Sequence, residues 1–136
     1  MRAITTMAMT IVLLLALSLS GFGQQTMGQH MMGGVQVQKT AAGPILADSK
    51  GMTLYTFDND KVAGKSACNG PCAQNWPPLT AEADAKAMGA WTVVTRDDGS
   101  KQWAYKGKPL YTFKNDAKAG DTTGNGFHNV WHVAKP

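Results

Sequence analysis

Two stretches decide the reading of this chain: Leu54-Tyr55-Thr56-Phe57-Asp58-Asn59-Asp60 and Leu110-Tyr111-Thr112-Phe113-Lys114-Asn115-Asp116. They lie 56 residues apart and differ at one position, Asp58 against Lys114. The same offset carries Val37 onto Val93, Gly51 onto Gly107, Gly64 onto Gly120 and Asn69-Gly70 onto Asn125-Gly126. A register held over that length marks an internal duplication, and a duplication governs the fold.

Outward from each stretch, short alternating runs are punctuated by Gly, Pro, Asp and Ser. This pattern predicts strands over 35–39, 44–47 and 52–57, then over 91–96, 101–105 and 109–113. Each set is a three-strand meander, which cannot bury its apolar face alone. Two of them packed together can, so the expected fold is mainly β: two pseudo-symmetric meanders forming a small sandwich or barrel. Repeat 1 is expected at 35–79 and repeat 2 at 91–133, within one domain spanning 35–136. Between them, 80–90 is rich in Ala, Glu, Lys and Met, has Thr80 as a candidate cap and ends at Gly89. It predicts one short linker helix.

Upstream, Arg2 precedes the apolar run Ile11-Val12-Leu13-Leu14-Leu15-Ala16-Leu17 and the small residues Ser18, Ser20, Gly21 and Gly23. The run is shorter than the ~20 residues that span a bilayer and reads as a secretory signal over 1–23, cleaved after Ser20 or Gly23. No transmembrane span is expected once it is removed. Residues 24–34, QQTMGQHMMGG, lack periodicity and read as a flexible mature N-terminus. Loss of Arg2 with the leader takes the basic count from 13 to 12 against 9 acids, a net charge of +3. The basic residues are scattered, which argues against a nucleic-acid partner.

Both motif copies fit Tyr-x-aromatic-x-x-Asp, and the first is followed by Ser66-Ala67-Cys68, Cys72 and Trp76-Pro77-Pro78-Leu79. In these features the chain resembles a bacterial secreted-repeat family described as predicted lipoproteins, over roughly residues 41–133. The resemblance implies export, periplasmic or secreted, and supports the two-repeat architecture without implying an activity. Lipid-anchored members carry a cysteine after the leader. None follows the apolar run here, so a soluble exported form is expected.

On a strand, Tyr55 and Phe57 share a face, as do Tyr111 and Phe113. One reading makes these rings a core that joins the copies, with Asp60 and Asp116 organising the loops that follow. The other makes Tyr55, Tyr111, Trp76 and Trp131 a cleft for a small ligand, anchored by the two aspartates.

Cys68 and Cys72 are the only cysteines. In an exported protein they are expected to bond to each other, pinning the Asn69-Gly70-Pro71 turn. The short ring limits the gain to less than the ~3 kcal/mol expected of a 15-residue loop. Their spacing is not the Cys-x-x-Cys of thiol oxidoreductases, and two thiols are too few for a structural zinc. His128 and His132 would share a metal on a helix. The surrounding Gly124, Gly126 and Val130-Trp131-His132-Val133 instead predict a loop and a final strand, which would hold the imidazoles about 13 Å apart. Met27, His30, Met31 and Met32 offer soft thioethers and an imidazole, a donor set suited to Cu(I). Asp58-Asn59-Asp60 is not completed into a calcium loop, and phosphate loops and nucleophile elbows are absent. No nucleophile–base pair assembles. The expected function is a noncatalytic envelope or secreted module that binds a small ligand or an envelope protein through an aromatic surface. A copper-handling or redox accessory role is the alternative.

Overall fold

The computed structural model describes residues 34–136. The expected leader and the Met27, His30, Met31 and Met32 cluster lie outside the described residues.

Repeat 1 opens with β1 (Gln36–Thr40) and β2 (Gly43–Ala47), an antiparallel hairpin in register from Gln36 opposite Ala47 to Thr40 opposite Gly43. Thr40 Oγ1 fastens the turn, accepting from Ala42 N–H at 3.2 Å and donating to the Gly43 carbonyl at 2.6 Å. Ile45, Leu46 and Ala47 are buried in succession, so β2 is covered on both faces. After it come β3 (Tyr55–Phe57), a one-turn helix α1 (Pro71–Asn75) and β4 (Thr80–Ala81). Repeat 2 contributes β5 (Trp91–Thr95), β6 (Lys101–Tyr105), β7 (Lys108–Pro109), a 3-10 turn at Phe127–Asn129 and β8 (Trp131–Val133). β6 is the spine of a four-stranded sheet, paired with β5, β4 and β7. Its junction with β7 is the two-residue turn Lys106-Gly107 at φ 51° and 81°. Positive φ at both positions matches the right-handed twist of the flanking strands.

The sequence expectation of a mainly β protein with two repeats holds; of the six expected strands, that at 52–57 shortens to Tyr55–Phe57 and that at 109–113 to Lys108–Pro109 with an isolated bridge at Tyr111. The described residues form three antiparallel sheets and no closed barrel.

Two expectations are corrected. The linker at 80–90 is not helical: Thr80 and Ala81 pair with Gln102 and Lys101 of β6, and turns follow. Alanine propensity alone does not hold a ten-residue helix in water, and this segment has no apolar stripe to pack. The short helix is α1, started by Pro71 at its first position. Secondly, the third strand of each meander starts on its own copy, Leu54 N–H donating to the Leu46 carbonyl and Leu110 N–H to the Trp103 carbonyl, and then crosses to the other. β3 pairs with β8, Tyr55 opposite Val133 and Phe57 opposite Trp131. On the other side, the Thr112 and Lys114 amides donate to the carbonyls of Pro77 and Asn75, at 2.8 and 3.0 Å. At the centre Tyr55 and Tyr111 pair with each other through both backbone bonds, 2.7 and 3.0 Å. Each motif strand thus lies against the closing segment of the opposite copy. The crossing stacks Phe57 on Trp131 and Phe113 on Trp76, each on a tryptophan of the other copy.

Two clusters make the core, and each draws on both repeats. One contains Val35, Leu46, Leu54, Trp91, Trp103, Leu110 and Ala134. The other is aromatic: Tyr55, Trp76, Tyr111, Phe113 and Trp131, with Cys68.

Candidate functional site

The aromatic cluster is built from the alternation of the two motif strands. Phe57 stacks on Trp131 (4.2 Å between centroids), Trp131 on Trp76 (3.8 Å) and Trp76 on Phe113 (4.0 Å), a four-ring column running across the junction of the copies. Tyr55 meets Trp76 edge-on at 5.3 Å, and Tyr111 meets Trp131 edge-on at 5.1 Å. Tyr55 and Tyr111 are fully buried, Trp76, Trp131 and Phe113 nearly so, and Phe57 is half-buried. Among the described residues these rings form one of the two core clusters.

The hydroxyls reach across the same junction. Tyr55 Oη donates to Asp116 Oδ2 at 2.6 Å, and Tyr111 Oη donates to Asp60 Oδ2 at 2.5 Å. Each aspartate turns its other oxygen to the loop that follows, Asp60 Oδ1 to Ala67 N–H (2.6 Å) and Asp116 Oδ1 to Thr123 N–H (3.0 Å). Residues 67 and 123 are again 56 apart, so the whole constellation repeats. Burial, reinforced by the carboxylate partner, pushes both phenols well above their ordinary range. Burial also raises the Asp60 carboxyl above 3.8, opposed by its bonds from Tyr111 and Ala67 and by the nearby Arg96 guanidinium.

One copy carries an addition that sequence reasoning missed. Ser66, Arg96 and Gln102 are buried beside Tyr111. Since Tyr111 spends its proton on Asp60, Ser66 Oγ donates to Tyr111 Oη at 2.6 Å and accepts from Arg96 Nη1 at 3.0 Å. Arg96 also donates to Gln102 Oε1 at 2.8 Å and to the Cys68 carbonyl. Gln102 Nε2 ends the chain on the Leu110 carbonyl at 2.8 Å. Cys68 and Cys72 are disulfide-bonded, with Cα atoms 5.2 Å apart. The bond closes the loop whose Cys68 carbonyl Arg96 holds. At the position equivalent to Cys68, repeat 2 has Gly124. A Cβ built there would lie 2.6 Å from the Trp76 ring, so only glycine lets the backbone approach that closely.

The two histidines have different neighbours. His132, on β8, bonds through Nε2 to Asp58 Oδ2 at 2.7 Å, while the His128 ring lies against Phe127 at 4.3 Å in the 3-10 turn. Among the described residues no three His, Cys, Asp or Glu side chains converge on one point. Two cavities flank β8. One, of about 360 Å³, is lined by Tyr105, Lys106, Lys108, Leu110 and Lys135 together with Thr56, Asp58 and His132 to Ala134. The other, of about 410 Å³, shares His132, Val133 and Lys135 and extends to Thr40, Ile45, Thr122 and Asn125. No described helix is long and apolar enough to cross a membrane.

Fold and site together define a duplicated β module closed by its own tyrosine–aspartate pairs. Residues 36–80 and 92–135 each match a family model described as a secreted repeat of unknown function. The chain belongs to that family, as an exported, secreted protein with two copies of the repeat. No curated protein and no solved structure matches it.

Proposed function

We propose that the chain is a secreted noncatalytic binding module. Its Tyr-x-aromatic-x-x-Asp motifs hold the duplicated scaffold together, and recognition falls to the cavities beside β8. The observation that carries this reading is the inward commitment of the motif. Tyr55, Tyr111, Asp60 and Asp116 consume one another's hydrogen-bonding capacity inside the core, so they present no base or nucleophile to a substrate. Small-ligand sites favour concave, partly apolar surfaces of about 300–1,000 Å³, and both flanking cavities fall in that range. The aromatic residues act by setting the position of β8, from which His132 and Val133 reach both cavities.

Native mass spectrometry of protein purified from the exporting cell tests this. The expected result is a small molecule or protein partner retained at stoichiometric level and recovered chemically unchanged after prolonged incubation. Conversion of the retained molecule, lost in Asp60→Asn or Asp116→Asn protein that remains folded, would show the motif to be catalytic and refute the reading.

A further inference from the structure

The cavity between the β6–β7 turn and β8 carries an unbalanced charge. Lys106, Lys108 and Lys135 stand exposed around it, contributed by a tight turn and by the end of the chain. The one carboxylate in its lining, Asp58, is engaged by His132 at 2.7 Å. Among the described residues that is the one contact within 4.0 Å between a carboxylate and a basic side chain, so none of the three rim ammoniums has a carboxylate at that range. The rim is also ordered by its backbone. Positive φ at Lys106 and Gly107 fixes the turn, and the Lys106 ammonium lies 5.2 Å from the centroid of the Tyr105 ring. Between the lysines the lining is mixed: the half-buried Tyr105 and Val133 give it apolar surface, Leu110 and Ala134 back it from the core, and Thr56 is polar.

Cations are repelled from such a site. A bare inorganic anion would leave the apolar surface wet, and a neutral apolar molecule would leave the ammoniums without a partner. We propose that this cavity binds a small organic anion, its carboxylate or phosphate between Lys106, Lys108 and Lys135 and its apolar body against Tyr105 and Val133. The inference rests on the binding-module reading above and narrows it to one ligand chemistry. Exposed ammoniums attract at long range and are screened by salt, so binding weakens as ionic strength rises.

Amide chemical shifts of the full secreted chain, titrated with benzoate, phenyl phosphate, benzamide and inorganic phosphate, test the proposal. Benzoate and phenyl phosphate separate the two anion sources. Saturable shifts at Lys106, Leu110, Val133 and Ala134 with either are expected. Benzamide, which matches benzoate in shape without its charge, should bind at least about tenfold more weakly. The double variant Lys108→Gln/Lys135→Gln changes only exposed side chains. It should lose about tenfold in affinity for the bound anion while its melting temperature stays unchanged. Equal binding of benzamide and benzoate would overturn the anion preference and leave the binding-module reading standing. Inorganic phosphate binding as tightly as phenyl phosphate would overturn the role of the apolar surface. Unchanged affinity in the double variant, or no saturable shift with any probe, would overturn the site itself. The native-mass measurement then still judges the broader reading independently.

Discussion

Replacing each motif aspartate by asparagine should have unequal effects, although the two sites are related by the duplication. In both, the amide keeps its oxygen toward the tyrosine hydroxyl, which has one proton to give, and turns its NH2 toward the following loop. At residue 60 that NH2 meets the Ala67 amide, whose bond to Asp60 lies at the exposed edge where water can replace it. At residue 116 it meets the N–H of Thr123 in a part-buried setting, while the Thr123 hydroxyl can turn to accept from it. Tyr55 has no freedom to compensate, because its oxygen already accepts from Gly124 N–H at 3.3 Å. Leaving a buried donor unsatisfied costs about 1–3 kcal/mol, whereas an exchange with water costs under about 1 kcal/mol. Asp116→Asn should therefore destabilise by about 1–3 kcal/mol and Asp60→Asn by under about 1 kcal/mol. For a domain of this size the gap corresponds to a difference of several degrees, ~4–8 °C per kcal/mol. Urea and thermal melts of the two single variants decide the matter. If Asp60→Asn proves as damaging as Asp116→Asn, the hydrogen-bond argument is wrong.

Three further outcomes follow from the same core. The raised Asp60 pKa makes its protonated form the better folded one. That contribution is present below its ordinary value of 3.8 and is lost as pH rises through the folded value. The stability deficit of Asp60→Asn relative to wild type should thus be larger at acidic pH and shrink on the way to neutrality, as read from urea melts across that range. Gly124→Ala should cost about 1–3 kcal/mol, since the added methyl meets the rims of Trp76 and Phe113, two stacked rings with little room to move; a melt within 1 °C of wild type would contradict it. Reducing the Cys68–Cys72 bond should lower stability by less than ~3 kcal/mol while the fold persists, because the closed ring is short and Arg96 still holds the Cys68 carbonyl. Loss of the native circular-dichroism spectrum on reduction at 25 °C would refute that.

Strand positions were legible because alternation and turn residues are local signals: the 36–47 and 91–105 hairpins follow directly from them. The shared face of Tyr55 and Phe57 was legible for the same reason. What could not be read was which segment those faces meet. Period-two alternation assigns a side of the sheet and not a partner, and duplicated strands pair equally well within a copy or across copies. The 80–90 segment misled because alanine-rich composition registers propensity, while Thr80 and Ala81 are taken up as an edge strand by β6. Ser66, Arg96 and Gln102 carry no local signal of burial. Their burial depends on Tyr111, which is 45 residues from Ser66 in sequence. The lysine-rimmed cavity was hidden likewise, since Lys106 and Lys135 come together only when β8 closes against the other copy.

The crossed tyrosine–aspartate bonds have a consequence for an exported protein. Contacts in which each copy completes the other are those of an isologous dimer, here written into a single chain. A true dimer comes apart when diluted, and secretion dilutes without limit. The covalent link through 81–90 replaces that second-order encounter with a fixed local concentration, in the millimolar range for a short tether, however few molecules are present. The segment expected to be helical supplies that tether, and it is itself tied to repeat 2, Met88 bridging Trp91 and Ala90 accepting from Lys106 N–H.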